Sequence, residues 1–360
     1  MSTSSDPGVA EASAGRPSVS APDALSPAAL AEARAAQPRR ALSGLLFVIP
    51  ASVLLAVGWG GPVHSLTVLG PLLTFALPIV AVIAFWWQDW PGSLLTGGWS
   101  GLGDTVIVAL GGVVLTILGQ GLVEGIDLQG IFAPGPGHPS VSETVPLAVG
   151  IFGLILQLTL VGECWPLRSL ARIPSGIAAL VLCWVVGLTL YSGLIGTGLV
   201  AGEAYASWFA ALGMWQMVWY VALRGWPFAR IRHQATRLVT GHLSVIACGW
   251  VTYLFASSVL SWTPGRIAEV SGSAIAAILV VAMLFEAWPA IRLTEVPGRT
   301  LALVLVAVLT FVLATFLPVV AGWLGVPSRQ ALSWSTHATL NALSLAVILH
   351  VAVWRRWLAD

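Results

Sequence analysis

His337 and Asn341 stand one helical turn apart in the stretch ALSWSTHATLNALSLAVILH. With Ser333, Trp334 and Ser344 they fall within one arc of about 100° on a helix. An imidazole beside an amide can hold a proton, a polar group of a solute or a chain of water. The same groups can instead be hydrogen-bonding glue between helices, often worth less than about 1 kcal/mol each. A second cluster sits in EAYASWFAALGMWQMVWY, where Tyr205, Trp208, Trp215 and Trp219 share an arc beside Gln216. Such a ladder either lines a pocket for a planar or cationic ligand or packs against a neighbouring helix. His242, Trp250, Tyr253 and Ser257 share a face further on, with His242 near headgroup level.

Charged side chains recur at one place. Gln88, Glu163, Arg224 and Glu286 each stand two residues before a Trp-Pro pair. Arg224 is expected to pair with Glu163 or Glu286, forming either a structural ion pair or a gate with a titrating carboxylate. No metal site is expected, because Cys164, Cys183 and Cys248 show no ligand spacing with each other or with the histidines. No cofactor is expected either. All sixteen basic residues are Arg, which excludes lysine Schiff-base chemistry, and no phosphate-loop, dinucleotide, HExxH or GxSxG motif is present.

The elements that must position these groups follow from composition. The 360 residues are 57% hydrophobic and only 9% charged. That cannot furnish a soluble surface, so the fold class is an all-α polytopic membrane protein in a lipid bilayer. A net charge of +1 leaves no basic surface for nucleic acid. Ten apolar runs are long enough to cross, near 41–59, 65–87, 104–123, 145–164, 176–200, 204–224, 238–260, 267–287, 300–323 and 332–353. Residues 1–38 read as a disordered cytoplasmic tail with a short helix in SPAALAEARAAQ, and 39–360 as one transmembrane domain with a long outer loop at 124–143.

Apart from Arg16 and Arg34 of the tail, twelve arginines fall on the side of the N-terminus and two, Arg266 and Arg329, on the other. The positive-inside rule then puts both termini in the cytoplasm of a bacterial plasma membrane. Trp90, Trp165, Trp226 and Trp288 close the even-numbered spans on that side, and Trp354 closes the tenth without a proline. Indoles suit the headgroup level, Pro discourages helix continuation and Arg stays in the cytoplasm, so these are interface anchors. Their spacing predicts five like-oriented two-helix hairpins. This frame supports a transporter or channel for a small solute. It also suits a non-catalytic membrane partner or sensor and, less well, a lipid-acting enzyme, for which no cluster of catalytic groups at one depth can be assembled.

Overall fold

In a computed structural model, residues 27–356 are described, with side chains from position 38. The chain divides into the units Met1–Ala36 and Gln37–Asp360. In the first, residues 27–36 are helical, where the short helix was expected. The disorder expected for 1–26 lies outside the described residues.

The rest is helical, with one isolated β-bridge between Gly135 and His138 among the described residues. Nine helices among the described residues are long and apolar enough to cross a membrane. In chain order they are α1 (Pro27–Val57, apolar over Pro38–Val57), α2 (Pro62–Trp86), α3 (Gly98–Val123), α4 (Val141–Val161), α5 (Arg172–Ile195), α7 (Gln234–Val259), α8 (Pro264–Leu284), α9 (Glu295–Trp323) and α10 (Ser328–Val353). Ten were expected. The remaining run, α6 (202–222), is a continuous helix made of Gly202–Met217 and Val218–Ala222. Its Tyr, Trp and Gln side chains make it less apolar than the other nine.

Within Gln37–Asp360, α2, α4, α6, α8 and α10 pack each against the next, and α10 returns to α2. The other long helices lie outside them: α3 on α2, α5 on α4, α7 on α6 and α9 on α8. Burial separates the two sets. Between 56 and 72% of the apolar windows of α2, α4, α8 and α10 is buried, against 11 to 33% for α1, α3, α5, α7 and α9. Large exposed side chains such as Leu46, Leu110, Val185, Leu243 and Phe311 all belong to the outer set. Apolar surface of that extent fits lipid rather than water. α4, α6, α8 and α10 meet in an apolar centre that includes Leu156, Met217, Ile275, Ile278 and Val347, and α2 joins α10 in a second cluster with Val80, Ile83 and Leu345.

Each inner helix ends in the same way. A final π-helical turn (Val82–Trp86, Gln157–Val161, Val218–Ala222, Leu279–Leu284, Leu349–Val353) passes into a left-handed pair of residues. In the first case the amide of Trp87 donates to the Val82 carbonyl, Asp89 to Ile83, and Trp90 back to Trp87. The bonds recur at Gly162, Cys164 and Trp165, at Leu223, Gly225 and Trp226, and at Phe285, Ala287 and Trp288. These six-residue closures satisfy carbonyls that a helix end otherwise leaves without donors. A cis Trp-Pro bond and a short 3-10 turn follow in each of the four.

The end of α10 corrects the expected register. Trp354 donates to Leu349 and Arg356 to His350, and the left-handed pair is Arg355–Arg356. Trp354 therefore stands where Trp87 does, and the residue in register with Trp90 is Trp357, outside the described residues.

One proline inside a helix is met by a side chain. Pro318 in α9 has no N–H to give the carbonyl of Ala314, and Arg266 Nη1 donates to that oxygen at 3.1 Å while pairing with the fully buried Glu269 at 2.7 Å. The pair thus joins α8 to α9.

Candidate functional site

The polar stripe of α10 is brought against α1 and α2. Its middle turn, His337–Leu343, is π-helical, a form common where a helix is adapted to a site. His337 is 2% exposed and its Nε2 lies 3.2 Å from the Leu55 carbonyl. Trp334 Nε1 donates to the next carbonyl, that of Ala56, at 3.2 Å. α1 ends at Val57, so these are carbonyls of a helix C-terminus, and two side chains one turn apart cap them. With Nε2 carrying the proton, His337 Nδ1 is an acceptor, 3.4 Å from Asn341 Nδ2. The Asn341 amide also donates to the Gly70 carbonyl at 3.2 Å and to Thr74 Oγ1 at 3.1 Å. Ser344, one π-turn below, donates instead to the Thr339 carbonyl of its own helix.

At the start of α2 the surface is cleft. A hollow of about 430 Å³ is lined by Gly60, Val63, His64 and Thr67 at the start of α2, and by Pro134, Gly135, His138, Pro139 and Ser140 of the outer loop. The loop is folded: Leu128–Phe132 is a short helix, and Ile131 and Val141 are fully buried. Asp127 accepts from the Gln129 amide and lies 3.0 Å from His138 Nδ1, while Gln120 Oε1 accepts from the Asp127 amide. Hydrogen bonding to the backbone at Gly130 and to His138 holds the Asp127 carboxyl below the usual carboxylate range. His64, Thr67 and Thr74 lie on one face of α2 by helical spacing. That face links the cleft to the Asn341 cluster. Sequence reasoning missed it because three polar residues over ten positions were diluted among apolar neighbours and two prolines.

A second polar group joins α4, α6 and α7. Gln216, fully buried, donates to the Gly153 carbonyl at 3.0 Å and to Gln157 Oε1 at 2.6 Å. Gln157 Nε2 lies 2.7 Å from His242 Nδ1. Gln216 Oε1 has no partner among the described residues. Beside it, Trp215 Nε1 donates to Thr252 of α7 at 2.8 Å and its ring stacks on Trp219, while Trp208 meets Trp250. The aromatic ladder is thus packed between α6 and α7.

The expected partners at the turns are different. Glu163 pairs with Arg237, with both carboxylate oxygens engaged, and Glu286 pairs with Arg356 at 2.7 Å. Arg355 pairs with Asp89 at 3.1 Å. Arg224 is exposed and forms no ion pair with either acid. The reason is register: the turns after α4 and α6 face the starts of α7 and α9, whereas those after α8 and α2 face the end of α10. Of the anchors, Trp90 stacks edge-on with Trp87, Trp226 lies under Arg299, Trp288 lies under Arg292, and Trp165 is 55% exposed. Trp354 donates to Thr105 of α3 at 3.0 Å. Searches of family models, of curated proteins and of solved structures returned no match to this chain.

Proposed function

We propose that the chain is a transporter or channel that passes a small polar solute across a bacterial plasma membrane. In this reading α6 is a tenth crossing, the helices form five like-oriented hairpins closed into a ring, and both termini are cytoplasmic. The partition of twelve arginines against two supports the orientation. The turn recurring at the end of each inner helix supports the hairpin unit. The observation that carries the function is the continuity of one face of α2. It runs from an open cleft at His64 and Thr67 to a buried imidazole–amide pair at His337 and Asn341. Solute sites in such proteins lie where helices of different repeats meet near mid-membrane. Asn341 and Thr74, in contact near the middle of α10 and α2, support such a site.

A second reading has its own support. His337, Asn341 and Thr74 all have partners within the chain, as glue between helices would. On that reading the protein is a non-catalytic membrane partner. Cysteine accessibility separates the two without knowledge of the solute. In a background with Cys164, Cys183 and Cys248 replaced by Ala, Thr67→Cys and Thr74→Cys are treated from outside with a charged methanethiosulfonate. A path requires reaction at both positions, slower at Thr74→Cys. Reaction at Thr67→Cys alone, with the protein folded and inserted, removes the path and leaves the partner reading.

A further inference from the structure

We propose that the groove between the third Trp-Pro turn and the start of α9 is a binding site for the headgroup of an anionic phospholipid, with Arg224 as its principal ligand. The position two residues before the motif tryptophan is charged in three of the four Trp-Pro turns, and Arg355 holds it at the end of α10. At the other charged positions the group is neutralised by the chain itself: Glu163 by Arg237, Glu286 by Arg356, Arg355 by Asp89. Arg224 is the exception. It has the same left-handed backbone, with φ of 52°, but is exposed and has no acid opposite it. An anion supplied from elsewhere is the partner this geometry lacks.

The groove beside it has the matching shape. It measures about 280 Å³ and is lined by Arg224, Thr294, Glu295 and Arg299 on its polar rim, with Ile291 and Leu293 among the apolar walls. Gly298 lets α9 approach this closely, because a Cβ there would stand 2.7 Å from the Ala290 carbonyl. Glu295 is already shared by Arg230 and Arg299, at 3.4 and 3.3 Å, so the acid in the groove is compensated and the Arg224 charge is left over. Arg299 also lies 5.3 Å from the Trp226 ring centre, which fixes the rim at the depth of an interfacial indole. Leu293 of the groove wall is about half exposed and presents apolar surface beside that rim. A cationic rim beside an apolar wall fits a two-part ligand: a phosphate at the rim with the start of its acyl chains against that wall. Free phosphate would use the rim alone.

The test is native mass spectrometry of the purified full chain equilibrated with an equimolar mixture of phosphatidylglycerol and phosphatidylcholine. Wild type should retain phosphatidylglycerol as its first lipid on the order of tenfold over phosphatidylcholine, the range of one hydrogen-bonded charge pair. Arg224→Gln and Arg224→Ala should bring that ratio to about one, while Arg232→Ala, an exposed arginine outside the groove, should leave it unchanged. Because Arg224 is exposed and packs against nothing that the fold needs, an unaltered melting curve accompanies the loss. Equal retention of the two lipids by wild type, or an unchanged ratio in both Arg224 variants, overturns the site. Displacement of the lipid by millimolar inorganic phosphate assigns the rim to free phosphate and overturns the lipid reading.

Discussion

Two buried polar seams hold the inner helices, and they are built to different standards. The seam between α10 and α2 joins residues up to 271 positions apart, and His337, Asn341 and Thr74 each give and receive hydrogen bonds there. The seam among α4, α6 and α7 joins residues closer in sequence and leaves Gln216 Oε1 buried without a partner. The first must be specified by matching donors to acceptors, since nothing in chain connectivity brings α10 back to α2. The second is held in place already by short connections and a large aromatic contact. A polar cluster is therefore most complete where the fold has the least local help.

The sharpest way to break this comparison is to make one substitution in each seam. Asn341→Leu removes the bonds to Gly70 and Thr74 and leaves the buried His337 Nδ1 without its donor. Lost bonds and one new orphan together cost roughly 2 kcal/mol. Gln216→Leu removes one orphan and creates another at Gln157 Oε1, and the Gly153 carbonyl keeps the helical donor Gln157 N. Its cost should stay under about 1 kcal/mol. Chemical denaturation in mild detergent measures both. Equal losses would remove the distinction between the seams.

The turns give the same contrast at smaller scale. Glu163 holds Arg237 through two bonds, each side chain being about a quarter exposed, whereas Arg355 meets Asp89 once and is half exposed. Glu163→Ala leaves the Arg237 guanidinium of α7 without the carboxylate that both its bonds use and should lower the melting temperature more than Arg355→Ala does. Arg355→Ala should cost less than about 0.5 kcal/mol, as exposed pairs do. The comparison is sharpened if a double-mutant cycle of Glu163 with Arg237 returns a coupling larger than that of Asp89 with Arg355. The reverse order would show that closure at α10 depends on its charges rather than on Asn341.

Much of this frame is legible in the residues. Long apolar runs, tryptophans before prolines and arginines confined to alternate connections mark helices and their ends, because length and interfacial chemistry are local properties. Register is harder to see. Trp354 looks like the closing indole because it ends the apolar run, yet hydrogen bonding places the left-handed pair after it, at Arg355 and Arg356. The pair that precedes each Trp-Pro carried that signal, two residues between the helix end and the tryptophan. α6 sits at the edge of recognition because indoles and an amide dilute its apolarity while its contacts make it a central helix. The ion pairs were illegible, since Glu163 meets an arginine 74 positions away whose place depends on how successive hairpins are stacked.

The outer loop supplies the smallest effect and extends the comparison to the water-exposed side. Asp127 is the N-cap of the short helix Leu128–Phe132 and faces His138 across the turn that lines the cleft. Its carboxyl is held below the ordinary value of about 3.9 by those hydrogen bonds, first that of the Gly130 backbone and then that of His138. A group lowered in the folded state contributes order that is complete above its unfolded value and is lost as pH falls through the folded one. Loop amides at Gln129 and Gly130, followed by hydrogen exchange corrected for intrinsic rates, should therefore keep constant protection from neutral pH down to the usual carboxylate range and lose it only below that range. Asp127→Asn should weaken protection at every pH and abolish the acid step, while leaving Asn341 and its seam untouched. If the acid step persists in Asp127→Asn, the loop is held by its buried Ile131 and Val141 alone, and the polar contacts around His138 are incidental to the shape of the cleft.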